Sequence, residues 1–210
     1  MTSVILAAAI AATNATSTIK LPAPQADSGV TVMQALKDRH SERSFSEKDV
    51  PMETLAGVLW AANGFNRPDK RTNATGMNKQ EIVIYAIMKS GAFRYDAKAG
   101  ELVKVTDEDL RGAIAAQQPF AAKAPVSLLI TADLSAPIYQ GKGPWSTLSH
   151  YDAGIVSGNI YLYCAANGLA TVCRGSMDRA ALKKGLNLPD TTFIHLNHPI
   201  GYPADGGKSK

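Results

Sequence analysis

The sequence predicts one α+β domain over residues 30–210, preceded by a separate segment of residues 1–29. Apolar, β-branched runs at residues 81–87 and 125–131 have the composition of buried strands. Residues 31–39, 51–63 and 152–167 place their apolar side chains at helical spacing instead. The two kinds of segment follow one another without the regular βαβ period of a doubly wound sheet, and no glycine-rich phosphate loop joins a strand to a helix. A chain of 210 residues, 45% hydrophobic and 19% charged, is long enough to bury a proper core as one domain.

Taken in order, residues 4–12 are apolar and lead into the small residues Thr13, Asn14 and Ala15. That is the pattern of a secretory signal with its cleavage site, although Met1, Thr2 and Ser3 carry no positive charge. The segment reads as an export signal to the periplasm; an ordinary helix in a cytoplasmic protein is the other reading. Residues 16–29, with Pro22, Pro24 and Gly29, form an extended lead-in. Val30, Met33 and Leu36 recur every three residues and predict a buried face on a helix over 31–39. Pro51 and Glu53 open the next helix, where Leu55, Val58, Leu59 and Ala62 share a face with Trp60 as further core. Gly64 is expected to end it as a left-handed cap.

Residues 64–80 are polar and broken by Pro68 and Gly76, a long loop of the kind that is either functional or disordered. Residues 81–87 predict a central strand, and residues 93–95 and 102–105 a hairpin through 96–100. Thr106, followed by Asp107, Glu108 and Asp109, predicts an N-cap and a helix reaching about Gln118. After the strand at 125–131, residues 132–148 carry Pro137, Gly141, Gly143 and Pro144 and form a candidate lid. A mostly apolar helix over 152–167 ends at Gly168. A short strand (170–174), a helix (178–186) and a last strand (192–196) complete the chain.

The net charge of +4 suits an anionic partner, but the basic residues are scattered and aromatics make up only 7%, which argues for a small anionic group rather than nucleic acid. No apolar run reaches the roughly 20 residues that span a bilayer. Two cysteines are too few for a disulfide framework, and no His/Cys group has metal-ligand spacing. The densest chemistry lies in Arg39, His40, Ser41, Glu42 and Arg43, where two guanidinium forks and a hydroxyl fall within five residues. Taken alone this is a solvated basic turn.

Four further stretches follow: Arg71 through Ala74, Thr75, Gly76, Met77, Asn78, Lys79 and Gln80; Ala124 and Pro125 through Ile130; Gly168 through Val172, Cys173, Arg174 and Gly175; and Ile200, Gly201, Tyr202 and Pro203. In this order the set resembles the nitroreductase family of FMN-dependent oxidoreductases, from about residue 30 to the C-terminus. Leu59, Trp60, Ala61, Ala62, Asn63 and Gly64, with Arg67, Pro68, Asp69, Tyr95 and Asp96, further resemble the branch that includes the azoline dehydrogenases.

The resemblance implies a nitroreductase-like fold: a central mixed or antiparallel sheet flanked by helices, in an intertwined homodimer with two FMN molecules at the interface. It places Arg39, Ser41 and Arg43 on the phosphate, the ribityl chain and the pyrimidine oxygen of the flavin, with His40 as a neighbour. Ala74, Thr75, Asn78 and Gln80 stand where the family has a Pro-Ser-x-x-Asn-x-Gln loop that reaches the flavin of the other subunit. Read from the residues alone, that Asn and Gln could equally satisfy turn backbone. Gln118 is matched to an amide on the pyrimidine edge, or is merely a polar helix end. Cys173, Arg174 and Gly175 stand where strand backbone lies against the reactive ring, with glycine permitting close approach. Arg174 is also expected to meet a carboxylate, or to contact an anionic substrate. Lys208 and Lys210 match basic residues on the phosphate, or a solvated tail. Ping-pong transfer from NAD(P)H through FMN to a nitroaromatic, a quinone or a similar acceptor is the implied activity, with the chemistry on the cofactor and no catalytic side chain. A flavin-dependent dehydrogenase acting on a small or heterocyclic substrate, and a non-catalytic flavin binder, are the alternatives.

Overall fold

The described part of this computed structural model comprises residues 17–140 and 145–204. The expected export signal at residues 4–15, and Lys208 and Lys210, lie outside the described residues. The chain enters along β1 (Thr18–Lys20), continues through α1 (Val32–Asp38) and α2 (Met52–Asn63), and makes a small hairpin of β2 (Phe65–Arg67) and β3 (Lys70–Arg71). The meander β4 (Ile82–Met88), β5 (Gly91–Asp96) and β6 (Glu101–Thr106) follows. Then come α3 (Arg111–Ala115), β7 (Val126–Asp133), α4 (Trp145–Ala166), β8 (Ala170–Thr171), α5 (Arg179–Gly185) and β9 (Thr192–Gly201).

Seven strands form one sheet in the order β1-β6-β5-β4-β7-β9-β8, so the strand read as central is the middle one. Every pairing in it is antiparallel, which resolves the mixed-or-antiparallel expectation. Alternate side chains of β4 divide the molecule into two cores, as the two-residue period of a strand requires. Ile82, Ile84 and Ala86 pack with Leu128 and Ile130 of β7 under Leu55, Val58 and Leu59 of α2 and Val156 and Ile160 of α4. Tyr85 and Ile87 face the other way, with Leu129, against Leu110 and Ile114 beside α3 and Leu182 of α5.

Several elements differ from expectation, each for a physical reason. Thr106 is not a helix cap, because it stays in the β5–β6 ladder opposite Ala92. Its hydroxyl accepts from the Glu108 amide at 3.2 Å and Asp109 accepts from the Arg111 amide at 3.1 Å, so local turns delay α3 until Arg111. Ala116, at φ +48°, then ends it. Gly64 is extended (φ −75°, ψ 178°) rather than left-handed. Glycine is required there by contact, since a Cβ would lie 2.7 Å from the Cα of Trp60. Helix α4 begins at Trp145, inside the stretch read as a lid. Asp152, read as its start, is instead a buried residue within it. Strand β9 runs on past 196, because Asn197, His198 and Pro199, which resemble a break, pair opposite Leu129, Leu128 and Ser127. Within this single chain the apolar face of α1 is not buried: Val32, Met33 and Leu36 are 66%, 73% and 50% exposed, and Ala35 is the buried residue.

The β4–β5 turn depends on Gly91, which has φ +124° and would set a Cβ 2.2 Å from the Thr106 carbonyl oxygen. Backbone on the neighbouring strand cannot yield as a side-chain tip would. Gly91→Ala is therefore expected to destabilise the fold by at least about 2 kcal/mol, read as a lower urea midpoint with an unchanged slope.

Candidate functional site

Helix α1 carries the basic turn into place. Thr31 caps it by accepting from the Gln34 amide at 3.1 Å, and the Arg39 amide closes it on Ala35 O at 2.9 Å. The chain then runs extended. Glu42, the acid of this stretch, folds onto its own backbone and accepts from the amides of Arg43 (2.7 Å) and Ser44 (2.8 Å). Its other oxygen lies 3.9 Å from His40 Nε2, while His40 Nδ1 meets Asp38 O at 2.8 Å. Among the described residues Arg39 and Arg43 therefore have no carboxylate partner. Both guanidiniums are exposed beside the hydroxyl of Ser41, a donor set that suits a phosphate dianion and carbonyl oxygens.

Backbone bonds pin this turn to two other predicted stretches. The Glu42 amide donates to Thr171 O at 2.9 Å, and the Ser46 amide to Tyr202 O at 2.8 Å. Phe45 forms a bridge with Pro203. A third tie is a side chain, Tyr161 of α4. Its hydroxyl lies 2.8 Å from Ser41 Oγ and accepts from the Cys173 amide, also at 2.8 Å, while Arg39 stacks over its ring at 5.1 Å. Under Tyr161 sits His198, fully buried, with Nε2 2.8 Å from Ser157 Oγ and Nδ1 3.1 Å from Thr171 Oγ1. Burial pushes its pKa down to about 3, so the imidazole is neutral near pH 7.

Arg174 has a structural occupation. Its backbone exchanges hydrogen bonds with Asn197 at 2.9 and 2.8 Å. The side chain is 5% exposed and donates to Ile114 O, Ala115 O, Asn197 Oδ1 and Gln118 Oε1 at 2.8–3.0 Å. All four acceptors are neutral, so the expected carboxylate is not there, and one of the five guanidinium N–H groups remains for any ligand. Desolvation lowers the guanidinium pKa. The same contacts draw Gln118 to the site. Beyond Arg174 the backbone opens: Gly175 is exposed, and a Cβ on it would meet nothing within 4 Å. Cys173 is half-buried.

The 74–80 loop does not join this cluster within one chain. Thr75 Oγ1 accepts from the Gln80 amide at 3.0 Å, and Gln80 donates to Asp69 O (2.8 Å) and Asn78 Oδ1 (3.0 Å) while accepting from Arg71 Nε (3.0 Å). Asn78 Nδ2 meets Asp69 O at 3.3 Å. Asn78 and Gln80 thus satisfy the loop itself, while Ala74 and Met77 are exposed. Met77, Asn78 and Gln80 all have φ between 52° and 56°, a concentration of left-handed backbone at non-glycine residues. Through Gly76 N–H to Asp152 Oδ2 (3.2 Å) the loop docks on α4 nine residues before Tyr161, or ~14 Å along the helix.

Tyr161 and its support His198 escaped the sequence reading. Tyr161 lies in a helix that reads as mostly apolar, and His198 falls just past the last predicted strand with no chemistry assigned to it. The polar pair Ser157 and Tyr161, one turn apart on that helix, was the available signal. Cys164, one turn further on, is fully buried core. No group of three or more metal-ligating side chains occurs among the described residues.

Glu81 adjoins the loop's dock. It is buried, hydrogen-bonded to Asp152 and approached by the Tyr139 hydroxyl at 3.2 Å. Burial, and then the neighbouring carboxyl, raise its pKa from 4.5 to about 7. Between those values the folded chain binds the proton more tightly than the unfolded one. Stability from this group is full below about pH 4.5 and is lost as pH rises through 7. His198, depressed, contributes the opposite slope at lower pH. Glu81→Gln isolates the first effect: relative to wild type, the variant should gain stability steadily as pH rises from about 4.5 to about 8, measured by urea unfolding at each pH. A constant difference across that range would show that Glu81 does not titrate there.

A sequence model of the nitroreductase family matches residues 36–202. A provisionally named nitroreductase of Methanocaldococcus jannaschii is 24% identical over 187 residues, covering 82% of this chain and 91% of the relative. Among solved structures, a provisionally named nitroreductase of Ralstonia eutropha superposes with a TM-score of 0.81 at 32% identity, over 89% of this chain and 90% of that one. The NADPH:FMN oxidoreductase of Vibrio harveyi, solved with NAD+, superposes with a TM-score of 0.64 at 17% identity, over 85% of this chain and 71% of that one, a likeness of fold.

Proposed function

This chain belongs to the nitroreductase family, and from that premise we propose that it is an FMN-dependent oxidoreductase working as a homodimer. NAD(P)H is the proposed electron donor, and a nitroaromatic, a quinone or a similar organic molecule the acceptor. The observation that carries this reading is the cluster itself. Two guanidiniums without an acid partner among the described residues stand beside a hydroxyl, and Tyr161 ties Arg39 and Ser41 to the strand end that bears the open Gly175. That donor set fits FMN: Arg39 and Arg43 for the phosphate, Ser41 for an acceptor oxygen, and the backbone at Gly175 for close approach of a flat ring.

When bound, the flavin supplies two-electron acceptance and release, the step no side chain of the twenty provides. The residues of this chain bind, orient and shield. Arg174 holds the strand end rigid through four hydrogen bonds. Neutral His198 fills the space below Tyr161 without adding a further cation. The donor assignment draws support from the Vibrio harveyi enzyme of the same fold, which acts between NADPH and FMN.

Homodimer formation is favoured by the apolar surface this chain leaves exposed. Val32, Met33 and Leu36 on α1 lie beside α4, whose Tyr151 and Ile155 are 64% and 42% exposed. Gly154 and Gly158 have open space where a Cβ would stand, so a second helix can approach closely. A second copy on this face would also bring a strained 74–80 loop toward the other chain's basic turn.

The test is an absorption spectrum and a sedimentation run on purified protein. The expected result is about one FMN per chain in a particle of two 22.2 kDa chains. A colourless protein that takes up no added FMN would overturn the reading. Arg39→Ala should weaken FMN binding by roughly 1.5–3 kcal/mol, as expected for loss of a charge-assisted bond, measured by quenching of flavin fluorescence.

A further inference from the structure

We propose that Tyr161 is a positioning residue of the site, and that it sets Ser41 as a hydrogen-bond donor toward the flavin. The inference rests on the flavin reading above and goes beyond it by assigning the direction of each hydrogen bond.

That direction is the one in which every hydrogen of the cluster finds a partner. The amide of Cys173 can only donate, so at 2.8 Å the phenol oxygen of Tyr161 accepts. The other partner of the phenol is Ser41 Oγ, also at 2.8 Å, where either oxygen can donate. With Ser41 as donor the phenol hydrogen would have no acceptor in this cluster, so the hydrogen bond is assigned from Tyr161 to Ser41. The serine hydrogen is then not needed for Tyr161, and because Ser41 is exposed it can reach a ligand held by Arg39 and Arg43. The chain therefore runs from the Cys173 amide through Tyr161 to Ser41 and ends in a donor. Hydrogen bonds aligned in one sense polarise one another, so the terminal hydroxyl is a better donor than a free serine.

Three contacts hold Tyr161 for this task. The Arg39 guanidinium lies over its ring at 5.1 Å, and the ring stands edge-on to His198 at 5.1 Å and 81°. His198 is fixed in turn between Ser157 and Thr171. Thr171 O also receives the Glu42 amide, so the same buried network supports the turn that bears Ser41. An outward-pointing donor selects an acceptor oxygen on the ligand. On FMN these are the pyrimidine carbonyls and the phosphate. Riboflavin, which lacks the phosphate, separates the two.

The experiment is a double-mutant cycle on the full chain, with FMN and riboflavin affinities read by fluorescence quenching. Tyr161→Phe keeps the ring, its stacking on Arg39 and its edge on His198, and removes only the hydroxyl. It is expected to weaken FMN binding by about tenfold, as Ser41→Ala should. In the Ser41→Ala background, Tyr161→Phe should cost nothing further, because the relay no longer has an end. Loss for both FMN and riboflavin places the oxygen on the pyrimidine ring, and loss for FMN alone places it on the phosphate; either outcome supports the relay. Two results overturn it while the wild type binds FMN: an unchanged affinity in Tyr161→Phe, or the same tenfold loss in both backgrounds, which a merely structural tyrosine would give. A wild-type protein that binds neither flavin removes the parent reading and the relay together. Ser41→Ala, on an exposed side chain, keeps the cycle interpretable if Tyr161→Phe folds poorly.

Discussion

A guanidinium buried without a carboxylate holds the site end of this molecule together. Arg174 reaches the last carbonyls of α3 and the side-chain amide of Gln118 just beyond it, and the side chain of Asn197 on β9, two regions far apart in sequence. Each acceptor is neutral, yet a charged donor roughly doubles the strength of each bond, and the C-terminal carbonyls of a helix carry partial negative charge. Helix α3 is only five residues long; Arg174 is the partner of its Ile114 carbonyl and a second donor to Ala115 O, which also accepts from the Gln118 amide. Removing the side chain would take the donor from the Ile114 carbonyl and loosen the strand end at Gly175 together. The fold and the site are in this sense supported by one residue.

Much of this was legible in the sequence, and the failures share a cause. Strand β4 was plain because its run is continuously apolar and β-branched, and helix α2 because its apolar side chains recur at helical spacing. The basic turn at 39–43 and the glycine at 175 came together only through the resemblance, since the turn taken alone reads as solvated and a single glycine carries no signal of its own. What the sequence hid were long-range contacts that override a local signal. Thr106 looks like a cap, but a ladder partner 14 residues earlier keeps it in a strand. Pro199 looks like a terminator, but its missing N–H is harmless where the sheet asks only for pairing with Ser127. Tyr161 looks like core in an apolar helix, and only the folded chain shows its hydroxyl joining residues 41 and 173. The exposed face of α1 is a different case: its apolar residues recur as read, but nothing in the single chain covers them, which is the surface that supports the proposed homodimer.

Helix α4 gives the division of the site its physical form. Tyr161 anchors the basic turn near one end and Asp152 the 74–80 loop near the other, and a rigid helix keeps them ~14 Å apart. The loop cannot slide along it, because Gly76 is also held against Leu148, where a Cβ would come within 3.3 Å. The loop's left-handed residues carry conformational cost that its internal hydrogen bonds offset. A loop shaped at that cost and held apart from its own basic turn is consistent with the proposed homodimer, in which it would serve a second copy.

Electrostatics explain why an anion belongs beside Tyr161. Arg39, Arg43 and Arg174 bring three positive charges to one end of the molecule, while Glu42 is folded onto backbone amides and His40. A protonated His198 would add a fourth charge in a dry place, and burial instead holds it neutral down to about pH 3. Its neutrality also leaves one ring nitrogen as an acceptor, so Ser157 and Thr171 can satisfy it without a counter-ion. The repulsion among the exposed guanidiniums is modest because water screens them. An anion seated between them would displace that water and turn the same charges from mutual repulsion to shared attraction. A site stable when empty and attractive when filled needs this balance: exposed cations that solvent tolerates, a buried cation fully bonded to neutral oxygens, and a histidine kept uncharged between them.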